Sequence, residues 1–210
     1  MVEEAAGPTV HPTALVESSS VGCGTRIWAF AHVLAGAVIG RDCNVGDHCF
    51  VEGGARIGNG VVLKNGVSVW DKVRLDDCVF VGPNVVFTND PYPRADPRWK
   101  APPECWKGTR VHAHATIGAN ATIVCGLEIG SYAMIAAGAT VTRSVRPYEL
   151  VSGTPARHAG WVCECGAVKS DGQCPRCVGS ELSCGQQQLE KGPRATSEFV
   201  RENGPPRRPQ

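Results

Sequence analysis

What this sequence lacks narrows its function before any motif is considered. Charge of one sign is absent: 21 Lys and Arg stand against 20 Asp and Glu, so there is no electrostatic footprint for a nucleic acid. No apolar run approaches the ~20 residues that a membrane-spanning helix needs, and no membrane partner is expected. The opening Met1-Val-Glu-Glu-Ala-Ala-Gly-Pro8 has neither the basic stretch nor the apolar stretch of a secretory leader. Sustained helical or strand periodicity, near 3.6 or at 2, is missing too. Cysteine is abundant at 11 of 210 residues, yet its placement argues against a secreted disulfide scaffold. Five cysteines crowd between Cys163 and Cys184 at metal-like spacing, and a reduced, cytoplasmic compartment is expected.

A period of six takes the place of the missing ones. Leu15, Val21, Ile27, Val33, Ile39, Val45, Val51, Ile57, Leu63, Val69, Leu75, Val81 and Phe87 fall every sixth residue, all large and apolar. Four residues after each rung comes a small or β-branched one, such as Ala31, Ala37, Cys43, Cys49 and Ala55. A fixed short period signals a stacked solenoid. Each hexapeptide makes one short strand and one turn, and three make a triangular coil whose large residues fill the prism. Gly and Asn at the corners are expected to supply the positive φ of tight turns. Stacked coils then pair in parallel, each touching only its neighbours.

The ladder breaks once. After Phe87 the chain spends residues 88–110 on a segment holding five prolines, which forbid regular structure. A long loop interrupting a regular repeat is usually functional. The ladder resumes at Val111 and runs through Ile117, Ile123, Ile129, Ile135 and Val141, with Leu127 oversized at a small position. The division expected is a flexible lead at 1–8, a repeat domain at 9–160, a Cys-rich segment at 161–184 that caps the last coil, and a disordered tail at 185–210.

Several stretches resemble a known family. Ile117-Gly-Ala-Asn-Ala-Thr-Ile-Val-Cys-Gly126, Gly138-Ala-Thr-Val-Thr-Arg143 and Gly153-Thr-Pro-Ala-Arg-His-Ala-Gly-Trp161 look like the late coils of bacterial sugar N-acetyltransferases. The pattern [LIV]-G-x-x-[small]-x is similar to the hexapeptide signature of left-handed parallel β-helix acyltransferases, and that resemblance alone implies the hand. Gly66-Val-Ser-Val-Trp-Asp71, Val81-Gly-Pro-Asn-Val-Val-Phe-Thr-Asn-Asp90 and Tyr92-Pro-Arg94 resemble one branch. That branch acetylates the 3-amino group of nucleotide-linked (dTDP- or UDP-) 3-amino-3-deoxy sugars, for polysaccharide or glycoside synthesis. The resemblance implies acetyl-CoA as cosubstrate and a homotrimer with inter-subunit sites. Trp70-Asp71 and Asn89-Asp90 look closer to the dTDP-sugar members.

Aminolysis of a thioester needs a neutral amine, donors for an oxyanion and an exit for a proton. Asn89, at the end of the ladder in the family's Thr-Asn context, is the expected catalytic residue, orienting the amine; a carboxamide is no base. His48, facing outward beside Asp47, is the second catalytic candidate, ahead of His32, His112 and His114. Glu52, Asn65, Trp70, Asp71 and Asp90, with His32, Tyr92 and Arg94, are the expected sugar-nucleotide contacts: Trp70 or Tyr92 to stack on a pyrimidine, Arg94 to meet a diphosphate. Gly118-Ala119 and Ala136-Ala137-Gly138 offer close approach to pantetheine, with Arg143 and Arg157 for CoA phosphates. No Walker or Rossmann glycine pattern is present.

Cys163-x-Cys165 and Cys174-x₂-Cys177 read as a small structural zinc knuckle, with Cys184 leaving the ligand set ambiguous. Two alternatives keep the prism: an O-acetyltransferase or an N-acyltransferase with another acceptor, and a carbonic-anhydrase-like metal protein. The last needs a third ligand beside His112 and His114, and none lies in register.

Overall fold

A computed structural model describes residues 7–177; the expectations for the start of the lead, for Cys184 and for the tail lie outside them. The described residues form three sheets of nine, seven and five strands. Each coil visits the sheets in turn. Arg26–Ile27 lies in the first, His32–Val33 in the second and Val38–Ile39 in the third, before Asn44–Val45 returns to the first. Successive coils pair in parallel by whole turns, as Ile27 with Val45 and Val45 with Leu63. This is the expected all-β, left-handed parallel β-helix of triangular section. No helix among the described residues is long and apolar enough to cross a membrane.

The rungs are buried and point inward: Val33, Val45, Val51, Leu63, Val69 and Val81 are wholly inaccessible. The small positions share that interior, from Ala37 and Ala55 to the five consecutive valines at 61, 67, 73, 79 and 85. At roughly 25 cal/mol per Å² of apolar surface removed from water, this one continuous core supplies the main stabilisation. Leu127 lies half-buried, packed against the core cluster rather than inside it.

The register is less uniform than the period suggests. Leu15 points outward, 52% exposed, and it is Val16 that pairs with Val33. Val21 bridges Ile39, so the first coil takes a step of five between Val16 and Val21. Ser18 fills the shortened corner by donating to the Ala37 carbonyl at 2.7 Å. Two apolar neighbours, Leu15 and Val16, make this slip invisible to a count by six. At the far end Val145, four residues after the Val141 rung and so at the position for a small partner, bridges Ile129 as a rung.

Glycine has two separate uses here. Gly40 directly follows a rung, and a Cβ there would sit 2.5 Å from the Gly58 carbonyl oxygen of the next coil. Close approach between coils, not positive φ, requires it. Gly54, by contrast, turns a corner at φ +89°. Other corners place bulky residues in the left-handed region: Phe30, His48, His114, Tyr132 and Tyr148 lie between +56° and +63°. The strain is uncommon for such side chains. Stacking one coil apart offsets it, with Phe30 on His48 at 5.0 Å and His114, Tyr132 and Tyr148 in one column at 4.7 and 5.1 Å.

The last coil ends in a hairpin. Glu149–Ser152 pairs antiparallel with Arg157–Trp161, which covers the edge that the final strand would otherwise present.

Candidate active site

The loop leaves the prism at the edge between the second and third sheets. Val86–Phe87 ends in the second sheet and Thr109–Val111 resumes in the third. Its two ends are tied together. The Lys107 N–H donates to the Asn89 carbonyl at 2.8 Å, and Thr88 Oγ1 accepts from the Cys125 N–H at 2.9 Å. Lys72, on the same edge one coil earlier, donates through Nζ to the carbonyls of Pro103 at 2.6 Å and Trp106 at 3.2 Å. An ammonium on main-chain carbonyls fixes the returning limb without constraining its side chains.

Asn89 thus has its main chain engaged and its side chain available. The residue is half-buried, and its carboxamide has no hydrogen-bond partner among the described residues. Asp90 accepts the Tyr92 N–H at 2.8 Å and shapes the following turn. Beyond it Tyr92 is 68% exposed, and the exposed Arg94 donates to the neighbouring Pro93 carbonyl.

Several expected substrate contacts share this edge. Glu52 accepts the Asp71 N–H at 2.8 Å, coupling two coils directly beneath the loop. Trp70 is half-buried against the core and lies 5.4 Å from Phe50, which meets His32 edge-on at 5.7 Å. Trp70, Phe50 and His32 form an aromatic path along the second sheet, with His32 Nε2 3.8 Å from Glu17.

Most of the other expected residues lie across the second sheet, on its edge with the first. His48 is there, stacked on Phe30, and the neighbouring Asp47 accepts from Asn65 Nδ2 at 3.3 Å. Gly118, Ala119, Ala136, Ala137 and Gly138 follow along that same edge in later coils. Gly138, at φ +69°, has nothing within 4 Å of where a Cβ would stand, so its backbone is open to an approaching ligand. One chain therefore keeps Asn89 and His48 on opposite edges of a sheet.

Arg143 has an internal engagement that its sequence does not announce. Its Nη2 donates at 2.9 Å to Glu149, whose side chain is wholly buried. Arg146 donates to the other carboxylate oxygen through Nε at 3.2 Å and its N–H at 3.0 Å, and His158 Nδ1 lies 3.1 Å away. Burial alone would raise the Glu149 carboxyl; the hydrogen bonds from Arg143 and Arg146 outweigh it and hold the group at about 2. Arg157, in the hairpin's second strand, is exposed and donates to the Ala156 carbonyl at 3.0 Å.

Lys72 was missed by sequence reasoning, as was a ladder on the third sheet. Arg56, Arg74 and Arg110 stand in register, one coil above another, beside a groove of about 520 Å³. Asp76 pairs with Arg110 at 3.1 Å and with His112 Nδ1 at 3.4 Å, while His112 Nε2 faces Glu128 at 3.3 Å. The repeat of Arg at whole-coil spacing was the available signal. Neither His112 nor His114 joins a cluster of three metal-ligating groups among the described residues. The one such group is Cys163, Cys165, Cys174 and Cys177.

Comparison with known proteins gives a consistent set of relatives. The family described as bacterial transferase hexapeptide (six repeats) matches residues 18–53 and 108–143. The chain is 52% identical over 156 residues to dTDP-3-amino-3,6-dideoxy-alpha-D-galactopyranose 3-N-acetyltransferase of Aneurinibacillus thermoaerophilus, spanning 74% of this chain and 79% of that protein. It is 27% identical over 145 residues to the bifunctional protein GlmU of Streptococcus pyogenes, spanning 69% of this chain and 29% of that protein. Among solved structures, the acetyltransferase domain of PglB from Neisseria gonorrhoeae superposes with a TM-score of 0.49 at 22% identity, covering 74% of this chain and 58% of that one.

Proposed function

We propose a function from one premise: the chain belongs to the bacterial hexapeptide-repeat transferases of the left-handed β-helix type. It transfers acetyl from acetyl-CoA to the 3-amino group of a nucleotide-linked 3-amino-3-deoxy sugar. The observation that carries this is 52% identity to a dTDP-3-amino-sugar N-acetyltransferase over 79% of that relative's length. The same observation favours a dTDP-sugar over a UDP-sugar. Residues 9–160 carry the reaction in this reading, and residues from 161 onward are an appendage to it.

The chemistry assigned to the chain is modest. The free amine attacks the thioester carbonyl, a C–N bond forms, and the C–S bond breaks to release CoA thiol. Orientation of an already neutral amine lowers much of such a barrier. Asn89 takes the orienting role, because its carboxamide is unengaged at the loop's root and accepts from an amine. His48 has its ring on Phe30, and the carboxylate beside it is turned to Asn65. No described side chain hydrogen-bonds its ring to fix the tautomer, so this reading assigns proton loss to solvent rather than to His48. In this reading Glu52, Trp70, Asp71, Asp90, Tyr92 and Arg94 meet the sugar nucleotide, and Gly118, Ala119 and residues 136–138 meet pantetheine.

Because these two sets lie on opposite edges of one sheet, a single prism does not present both to one substrate pair. A head-to-tail neighbour does, and three such contacts close a ring. The homotrimer with active sites between protomers is therefore part of the proposal. Both substrates are cytoplasmic metabolites, which makes the cytoplasm the proposed compartment.

The test is thiol release from acetyl-CoA with dTDP-3-amino-3,6-dideoxygalactose, its gluco epimer and UDP-2-acetamido-3-amino-glucuronate. Turnover on a dTDP-sugar is expected, with Asn89→Ala lowering kcat/KM roughly 100-fold while the melting temperature holds. Silence on all three acceptors, in a folded protein that binds acetyl-CoA, would reject this acceptor class. A His48→Ala variant that flattens the pH–rate profile would return the base's role to that residue.

A further inference from the structure

We propose that Cys163, Cys165, Cys174 and Cys177 bind a structural Zn²⁺ that fastens the C-terminal segment onto the last coil. This inference is independent of the acetyl-transfer reading. The four sulfurs all lie within 4.8 Å of one another, with Cys163 and Cys177 at 3.8 Å and Cys165 and Cys174 at 3.5 Å. A tetrahedral zinc with bonds of about 2.3 Å sets its sulfurs about 3.8 Å apart. Disulfide sulfurs stand at about 2.05 Å. The separations match ligands converging on one ion, not bonded pairs.

Two tight turns deliver the thiols. Val162 bridges Val168, the Cys163 N–H donates to Ala167 at 2.9 Å, and the Gly166 N–H returns to the Cys163 carbonyl at 2.9 Å. Gly166, at φ +82°, reverses the chain just after Cys165. Ser170 bridges Gln173 and leads into Cys174-Pro-Arg-Cys177. Arg176 crosses from the second turn to donate to the Cys165 carbonyl at 3.2 Å. The set is closed, with four protein ligands and no position for water or substrate, which makes the role structural.

Among the described residues nothing else in the segment is adequate to hold it. Between residues 162 and 177 the buried side chains are Val162, Cys163 and Cys174, too few for a core of their own. Metal binding in such a piece is its folding energy. Its seat is the end of the prism: the Val162 N–H donates to Tyr148 at 2.9 Å, the Lys169 N–H to Trp161 at 2.8 Å, and Tyr148 Oη to Glu164 at 3.1 Å. The ion thereby holds a plug against the last coil, beside the Glu149 cluster.

The test uses the full chain, purified under reductant with zinc and iron both supplied during growth. Elemental analysis is expected to find one zinc per chain. Cys163→Ser and Cys174→Ser lose it, and Cys78→Ser, at an exposed corner, keeps it. Stripping the wild-type metal with a thiol-blocking reagent and chelator is expected to open tryptic cleavage at Lys169 and Arg176 while residues 9–160 resist. This arm needs no variant to fold. Absence of stoichiometric metal, disulfides among the four in the intact mass, or iron in place of zinc would each overturn the assignment.

Discussion

Two parts of this chain meet at Val162 and are held together by different physics. The prism buries a side chain at alternating steps of four and two and has an apolar interior whose buried polar side chains, among the described residues, are Thr25, Thr109 and Glu149. Among its described residues, 162–177, the appended segment buries three of sixteen, two of them thiols. The first is stable through area removed from water, repeated coil by coil; the second depends on one point where four side chains converge. Repetition makes local damage costly but contained, whereas a single junction is lost all at once.

Three perturbations separate the two regimes. The largest effect is expected from Phe87→Ala, which empties the widest rung at the loop's root; a loss of about 3–5 kcal/mol in chemical unfolding is expected. Val168→Ala, at a 49% exposed position in the appendage, should stay within about 0.5 kcal/mol. Equal losses at the two positions would erase the contrast. Next comes acid. Glu149 is held at about 2 when folded against 4.5 ordinarily, so its stabilisation is complete above about pH 4.5 and drains away as pH falls toward about 2. Its size is on the order of 3 kcal/mol. The melting temperature of the wild type should fall over that window, and Glu149→Gln should start lower and lose this dependence. Within the prism the smallest effect is expected from Lys72→Met, which frees the returning limb of the loop. A stability loss of about 1 kcal/mol is expected, with a raised KM for the sugar nucleotide and faster proteolysis within residues 98–107.

Much of the prism was legible because a six-residue period writes inward and outward positions directly into the order of side chains. The slip at Leu15 and Val16 was not, since both neighbours are apolar and only coil-to-coil pairing separates them. Glycine was read only as a corner residue supplying positive φ, yet Gly40 is there because the next coil's carbonyl leaves no space for a Cβ. Aromatic corners at Phe30, Tyr132 and Tyr148 defeat propensity rules, because the stacking that offsets their φ is made eighteen or so residues away. Asn89 announced itself as the last residue before the break. Lys72 did not, because its three carbonyl partners lie more than thirty residues downstream. Arg143 was read as a partner for CoA phosphates, and its internal engagement with the buried Glu149 was missed.

The loop's ends have a consequence for how this chain can change. Val111 follows Phe87 by twenty-four residues, four steps of six, and Lys107 is already hydrogen-bonded to Asn89 across the gap. Removing the eighteen residues from Asp90 to Lys107 would join Asn89 to Gly108 and leave a rung every sixth residue, as though nothing had been cut. The loop is a parenthesis of one coil's length inserted in an otherwise complete sentence. Its text can be rewritten, lengthened or exchanged for another acceptor's vocabulary without disturbing the grammar on either side.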